Sequence, residues 1–244
     1  MLESLKQPYR AAVIGASGGI GRAFTERLAA DPAASQVFAF SRTPVDSSHD
    51  KLVTAALELG DESSIEKAAR LVDGELDLVI VATGILHDGD SLQPEKAMRD
   101  ISAGNMRDVL AINTIGPALV AKHFLPILRR EHKTVFAALS ARVGSIGDNR
   151  LGGWVSYRAS KAALNMTLRT LAIEHARRFP DSVIAGLHPG TVQTPLSDPF
   201  SSRVPDEKLF SPAQSVDYLL EVIDGLTADD SGGVFAWDAE RIPE

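Results

Sequence analysis

The chain has 244 residues, which is enough for one large domain with a well-buried core and short for two full domains. Its formal net charge of -7 gives no electrostatic reason to expect binding to nucleic acid or to an anionic membrane. No cysteine is present, which excludes disulfides and thiolate metal sites and is typical of a reducing compartment.

Short apolar runs alternate with longer amphipathic segments along the chain. The runs lack clean polar alternation, so both faces of each strand should be buried, as in a parallel sheet. This pattern predicts an α/β fold over residues 1–244, with a doubly wound parallel sheet of about seven strands and helices on both faces. The predicted strands are AAVIGA, QVFAF, LVTAALEL, LDLVIVA, TVFAALS, SVIAGLH and GVFAW, and the predicted helices are Ile20–Ala30, Ser63–Leu71, Met106–Leu128, Tyr157–Arg178 and Ala213–Leu226.

The first predicted strand leads into VIGASGGIGRA, which matches two different motifs. Gly15 to Gly19 match G-x-S-x-G, in which Ser17 would be a hydrolase nucleophile, but that serine belongs on an interior strand that follows others in the chain. Gly15, Gly19 and Gly21 instead let the chain turn sharply and let the backbone approach a pyrophosphate at the start of a helix. We therefore favour a dinucleotide-binding turn, with a purely structural turn as the other alternative.

The second predicted strand ends in FAFSR, where dinucleotide-binding folds discriminate between their cofactors. An acid at this place binds the ribose 2′-hydroxyl of NAD, whereas an arginine accommodates the 2′-phosphate of NADP. The chain has Ser41 and Arg42 here, so NADP(H) is favoured over NAD(H). The alternative is that Arg42 is a solvated loop arginine.

The segment SYRASKAALN places Tyr157 and Lys161 on one face of a predicted helix. A phenol has a pKa of about 10 and is a poor acid–base group at neutral pH. A nearby lysine ammonium stabilises the phenolate and so makes a tyrosine able to exchange a proton with an alcohol oxygen. Because such pairs are frequent in helices, this pair alone favours a structural interpretation.

Together, these motifs resemble those of the short-chain dehydrogenase/reductase family from end to end, which implies a single-domain Rossmann fold. Asn113 in LAINTIGP resembles the family's helix asparagine, and PGTVQT from Pro189 resembles its P-G-x-x-x-T. The segments GSIGDNRLGGW, YRASKAALN and GGVFAWD resemble the subgroup of C-factor-like proteins and sniffer-type carbonyl reductases.

The resemblance implies a role for each matching residue. Tyr157 would be the acid–base, Lys161 would hold the nicotinamide ribose and lower the tyrosine pKa, and Asn113 would order a water in the proton relay. Glu58 would lie beside the adenine, with a plain surface acid as an equal alternative. The residues assigned to the cofactor are Gly15, Ser17, Gly19, Ile20, Gly21, Ser41, Arg42, Glu58, Leu59, Ala82, Thr83, Gly84, Tyr157, Lys161, Pro189, Gly190, Val192 and Thr194.

The chain departs from the family pattern in its serine motif. The family usually has paired serines after the fifth strand, and the second polarises the substrate carbonyl, but LSARVGSIG offers Ser140 followed by Ala141. Alignment on the strand assigns the role to Ser140, whereas alignment on Gly144–Ile146 places Ala141 there. We assign Ser140, with Ser145 or the absence of this role as alternatives.

There are two smaller departures. Ile14, before the glycine turn, replaces a frequent threonine, and after the fourth strand the family's N-A-G is here Ala82-Thr83-Gly84, in which Thr83 replaces the alanine.

The expected activity is NADPH-dependent reduction of a carbonyl compound, or the reverse alcohol oxidation; the alternative is a non-catalytic NADP-binding sensor or signalling protein of the C-factor type. The substrate would contact Leu86, the Arg142–Trp154 loop and the Thr194–Leu209 loop, part of an irregular stretch that reaches Pro212 and is typical of a mobile lid. The six histidines lack metal-ligand spacing, so no metal site is predicted. We also expect a cytoplasmic homo-oligomer (dimer or tetramer) with no secretory signal, no membrane-spanning stretch of about 18 apolar residues and no nucleic-acid partner.

Overall fold

The computed structural model of this protein describes residues 2–46, 49–89, 91–199, 205 and 208–244, which contain nine β-strands. The strands are β1 Tyr9–Ile14, β2 Ala34–Ser41, β3 Leu52–Ala56, β4 Leu78–Val81, β5 Thr134–Leu139, β6 Ser182–His188, β7 Thr191–Val192, β8 Leu209–Phe210 and β9 Val234–Ala236. Seven of them form one parallel sheet in the order β3-β2-β1-β4-β5-β6-β9, and β7 and β8 pair separately. The predicted Rossmann fold is confirmed.

Helices cover both faces of this sheet. They are α1 Gly19–Ala30, α2 Glu62–Leu71, α3 Ala103–Leu110, α4 Gly116–Phe124, α5 Val155–His175 and α6 Pro212–Gly225. Successive residues of β5 point to opposite faces, so Val135 and Ala137 pack with α1 and α6, whereas Phe136 and Ala138 pack with α2, α4 and α5. Both faces are therefore buried, which explains why the strands lack polar alternation.

The strand order reverses at β1, whose neighbours are β2 on one side and β4 on the other. The connections that leave β1 and β4 run in opposite directions, so a crevice opens beyond the carboxyl ends of these strands. The loops that follow β1, β2, β3 and β4 all reach this crevice. The fold thus brings the predicted cofactor residues to one place.

The predicted helix Met106–Leu128 is longer and less regular than expected. It begins at Ala103 and contains a π-helical segment, Ala111–Ile115, between α3 and α4. Pro117 explains the interruption, because it has no N–H to donate to the carbonyl of Asn113 as the α-helical pattern requires. The Gly116 N–H instead donates to the carbonyl of Ala111. Single π-turns of this kind are frequent at functional sites.

This helical stretch, Ala103–Ile127, passes a length and composition test for crossing a membrane, and 44% of its most apolar window is buried inside the protein. From the sequence we expected no stretch long and apolar enough to span a membrane, and by this test that expectation is wrong. Core helices of water-soluble proteins pass the same test, and here Val120, Ala121 and Phe124 are buried against the sheet.

The irregular stretch after β6 is only partly described. Residues 200–204 and 206–207 of the predicted lid lie outside the described residues. Its end is ordered, since β8 pairs in parallel with β7 and α6 begins at Pro212 with Ser211 as its N-cap.

Candidate active site

The glycine turn after β1 is built so tightly that side chains would not fit. Gly15 has φ +92°, and a Cβ there would lie 2.8 Å from the Thr83 side chain. A Cβ on Gly21 would lie 2.1 Å from the carbonyl oxygen of Gly15, so the first turn of α1 packs directly on the turn. A Cβ on Gly19 would lie 2.8 Å from Cγ2 of Thr194, which brings the end of the predicted P-G-x-x-x-T motif beside the glycine turn. Ile20 lies in the same turn of α1 and packs against the core.

A cavity of about 390 Å³ opens beside this turn, at the carboxyl ends of β1 to β4. Its volume is within the usual range of small-molecule sites. The predicted cofactor residues that line it are Gly15, Ser17, Ser41, Arg42, Glu58, Leu59, Ala82, Thr83 and Gly84. The lining residues that sequence reasoning did not assign are Ile14, Gly18, Leu57, Ile85, His87, Asp88 and Ile112, most of which directly adjoin an assigned residue.

Two polar groups in this cavity fit a nucleotide cofactor. The hydroxyl of Thr83 is buried and has no hydrogen-bond partner within the described part of the chain, so it is available to a bound ligand. Arg42 is exposed at the cavity rim, and the described residues give it no ion pair, so its guanidinium is free to meet a phosphate. The neighbouring Ser41 hydroxyl, in contrast, donates to the carbonyl of Thr43 at 2.6 Å. With the glycine cradle, these groups suit a dinucleotide cofactor.

Asn113 joins the cavity wall to helix α5. It is fully buried in the π-helical segment, and its side-chain oxygen accepts from the N–H of Ile85 at 2.8 Å. Its amide nitrogen donates to the carbonyl of Ile85 at 2.8 Å and to the hydroxyl of Ser160 at 3.0 Å. The Ser160 hydroxyl in turn donates to the carbonyl of Tyr157 at 2.7 Å. The asparagine thereby fixes both the loop after β4 and the first turns of α5.

Tyr157 and Lys161 lie on one face of α5, as predicted. The Lys161 ammonium nitrogen is 5.8 Å from the centre of the Tyr157 ring and donates to the carbonyl of Leu139 at 2.8 Å. A Cβ on Gly84 would lie 3.6 Å from this nitrogen and 3.5 Å from the side-chain oxygen of Asn113, so these groups converge on one point of the cavity wall. The structure therefore brings the predicted acid–base, lysine and asparagine together.

Burial changes the acidity of both groups on α5. It raises the pKa of Tyr157 to about 12 and lowers the pKa of Lys161, which is only 2% exposed, to about 8. For Tyr157 this direction is opposite to the lowering expected from the lysine. The cause is desolvation of the phenolate by burial.

The predicted serine is hydrogen-bonded to a residue other than Tyr157. The Ser140 hydroxyl donates to the side-chain oxygen of Asn165 at 2.6 Å. Asn165 is eight residues beyond Tyr157, which corresponds to about 12 Å along the helix axis. The alternative, Ser145, is buried and accepts from the N–H of Asp148 at 3.0 Å. Neither hydroxyl is therefore directed at the tyrosine in this structure.

The loop after β6 forms the opposite side of the site. Gly190 has φ +76°, and a Cβ there would lie 2.7 Å from the ring of Phe210 and 3.1 Å from that of Trp237. Pro189 is held through its carbonyl, which accepts from Ser215 at 2.8 Å, and Val192 is buried in β7. Within the described residues, no group of three or more histidine, aspartate or glutamate side chains is placed to hold a metal ion.

Comparison with known proteins gives consistent matches. A family profile described as short chain dehydrogenase matches residues 10–204. The C-signal protein of Myxococcus xanthus is 37% identical over 60% of this chain and 83% of its own length. A 1-hydroxy-2-glutathionyl-2-methyl-3-butene dehydrogenase of Rhodococcus sp. is 33% identical over 74% of this chain and 75% of its own. The structure of NADPH-bound carbonyl reductase from chicken fatty liver superposes with a TM-score of 0.84 and 28% identity, covering 99% of this chain and 97% of that one.

Proposed function

Because this chain belongs to the short chain dehydrogenase family of oxidoreductases, we propose that it is an NADPH-dependent carbonyl reductase, able to catalyse the reverse alcohol oxidation. The observation that carries the proposal is the convergence of Tyr157, Lys161 and Asn113 beside a glycine cradle that suits a dinucleotide. NADPH, when bound, supplies the hydride to the carbonyl carbon. The protein's part is to orient the reactants and to provide the proton.

Tyr157 is the proton donor to the carbonyl oxygen. With a pKa raised to about 12, it keeps its proton at neutral pH, which suits the reductive direction. Oxidation of an alcohol needs the phenolate and is therefore favoured at higher pH. Reduction near neutral pH is thus the direction that the buried tyrosine supports.

Lys161 and Asn113 support the proton transfer and hold the site in shape. At pH 7 the lysine is mostly protonated, because its pKa of about 8 lies above this pH. It places a positive charge near the tyrosine ring and favours negative charge on the phenolic oxygen after the proton has left. Asn113, anchored on Ile85 and Ser160, keeps the loop after β4 at a fixed distance from α5.

Replacement of the acid–base residue tests this proposal. Tyr157→Phe is expected to abolish NADPH oxidation with a panel of aldehydes, ketones and quinones, while NADPH binding stays nearly intact. Tyr218→Phe is the matched control, since it keeps the ring on α6 and removes a hydroxyl that, within the described residues, accepts one hydrogen bond, from Gln214. Full activity in Tyr157→Phe would refute the assignment.

Cofactor preference is tested at the cavity rim. Arg42→Ala removes the free guanidinium and is expected to raise the KM for NADPH about tenfold or more, a loss of about 1.4 kcal/mol or more, while the KM for NADH changes little. An unchanged KM for both cofactors would show that Arg42 is a solvated loop residue, and an equal rise for both would show that it does not discriminate between them.

A second candidate function is a non-catalytic NADP-binding sensor or signalling protein. The observation that favours it is the Ser140 hydroxyl, which is committed to Asn165 rather than to the site. Tight NADPH binding without turnover on any carbonyl of the panel would support this candidate over the reductase.

The remaining proposals concern the setting of the reaction. The substrate is a small carbonyl or alcohol compound, and we place the protein in the cytoplasm as a homo-oligomer. Exposed apolar side chains on two neighbouring helical segments, Ile115 (54%), Met166 (67%) and Ile173 (54%), support assembly. Measurement of the mass in solution distinguishes a dimer or tetramer from a monomer.

A further inference from the structure

A buried carboxylate lies under the start of the helix that carries Tyr157. Glu95 is 3% exposed and belongs to the irregular segment between β4 and α3. Two other buried acids have evident structural partners, since Asp77 pairs with Arg129 at 2.7 Å and Asp31 accepts from the Tyr9 hydroxyl at 2.9 Å. Glu95 has no ion pair among the described residues. A buried carboxyl group without a cation needs several hydrogen bonds to offset its loss of hydration.

The partners of Glu95 all belong to the first residues of α5. One carboxylate oxygen accepts from the N–H of Ser156 at 3.1 Å, and the other accepts from the Ser156 hydroxyl. The backbone carbonyl of Glu95 accepts from the N–H of Trp154 at 2.7 Å. Residues 154 and 156 are thus both held by one glutamate from a distant part of the sequence.

Helix α5 has no cap of its own. Trp154, at its N-cap position, has φ +51° and makes no side-chain capping bond, and the first turn contains no acidic residue. The free N–H groups and the partial positive charge at a helix start favour an anion at this place. Glu95 supplies that anion from outside the helix.

Tyr157 directly follows the residue that Glu95 holds. Its ring also packs edge-on against Trp154, with 6.3 Å between ring centres. The segment that carries Glu95 starts at Ile85, which Asn113 fixes, and passes the cavity at Asp88. Besides the link through Asn113 and Ser160, the cavity wall and the acid–base residue are therefore connected through this carboxylate.

We propose that Glu95 is a positioning residue for the acid–base Tyr157, and that its carboxylate holds the first turn of α5 so that the phenol faces the bound carbonyl. This inference rests on the proposed reductase function. Since Glu95 is not among the residues that line the cavity, its effect should fall on kcat and leave NADPH binding in place.

Substitutions that separate charge from shape test this inference. A carboxylate has two acceptor oxygens for the two Ser156 donors, whereas an amide has one acceptor and turns an NH₂ group towards the second donor. Glu95→Gln should therefore lower kcat about tenfold or more, with the KM for NADPH unchanged within about twofold. Glu95→Asp keeps both acceptors and should recover most of the lost kcat. Asp230→Asn is the control and should leave kcat unchanged, because Asp230 also accepts from the N–H and the hydroxyl of one residue, Thr227, but precedes the amino end of β9, away from the cavity.

The outcomes are distinct. A kcat of Glu95→Gln within twofold of the unaltered chain, at a temperature where both are folded, overturns the inference, and so does an aspartate variant as slow as the glutamine variant. If Glu95→Gln does not fold, Ser156→Ala removes only the hydroxyl donor and should still lower kcat several-fold. An unchanged kcat in this variant also overturns the inference.

Absence of turnover in the unaltered chain defeats the proposed function as well. Turnover that Glu95 does not influence defeats this inference alone.

Discussion

Lys161 should make the protein less stable than it would be without it. The fall in its pKa from 10.5 to about 8 corresponds to about 3 kcal/mol of desolvation carried by the folded state at neutral pH. Methionine has a similar length and no charge, and Lys161→Met loses one hydrogen bond, to the carbonyl of Leu139, worth about 1 kcal/mol. We therefore expect the substitution to raise the free energy of unfolding at pH 7 by about 2 kcal/mol and to abolish turnover. The corresponding rise in Tm is about 4–8 °C.

The pH dependence of the free energy of unfolding shows whether desolvation of the Lys161 ammonium causes this loss of stability. Between pH 8 and pH 10 the unfolded chain still holds the Lys161 proton and the folded chain has released it, so stability rises with pH. The rise should be present in the unaltered protein and reduced in Lys161→Met. Lys133, whose pKa burial also lowers, contributes equally to both chains and cancels in the difference. Measurements should stop near pH 10, because Tyr157 keeps its proton up to about pH 12 and reverses the trend.

Urea unfolding of both chains at pH 7, 8, 9 and 10 provides the assay. A Lys161→Met protein that is less stable than the unaltered chain at pH 7 would refute the reasoning. A difference between the two chains that does not change with pH would also refute it, since a desolvated ammonium must lose its penalty as it loses its proton.

Two further predictions concern the turn and the serine. Gly21→Ala should destabilise the fold by about 3 kcal/mol or more, because its Cβ would lie 2.1 Å from the Gly15 carbonyl oxygen. In Gly18→Ala the new Cβ would lie 3.4 Å from the same atom, so the loss should be about 1 kcal/mol or less. Thermal melts of the two variants compare these losses directly. Ser140→Ala should change kcat less than about threefold, because the Ser140 hydroxyl is hydrogen-bonded to Asn165. Ala141→Ser should raise kcat several-fold if the new hydroxyl donates to the substrate carbonyl. A large loss in Ser140→Ala would instead return the carbonyl-polarising role to Ser140.

The sequence pattern predicted the features that neighbouring residues determine, namely the strands and the glycine turn. The apolar runs predicted the strands because burial on both faces requires them, and the turn at Gly15 was predictable because only glycine fits there. The π-helical segment was not predicted, although Pro117 is a visible signal for an interruption of the helix. The contacts of Ser140 with Asn165 and of Glu95 with Ser156 join residues far apart in sequence, and no local pattern reveals such pairs.

The two tryptophans of the chain both lie at the proposed site. Trp154 packs against Tyr157 at the start of α5, and Trp237 packs against Gly190 in the loop after β6. Reduced nicotinamide absorbs light at the wavelengths at which indole emits. Energy transfer from the two indole rings to bound NADPH would therefore quench the intrinsic tryptophan fluorescence. Replacing one indole at a time would then give an optical signal from each wall of the cleft, without any added label.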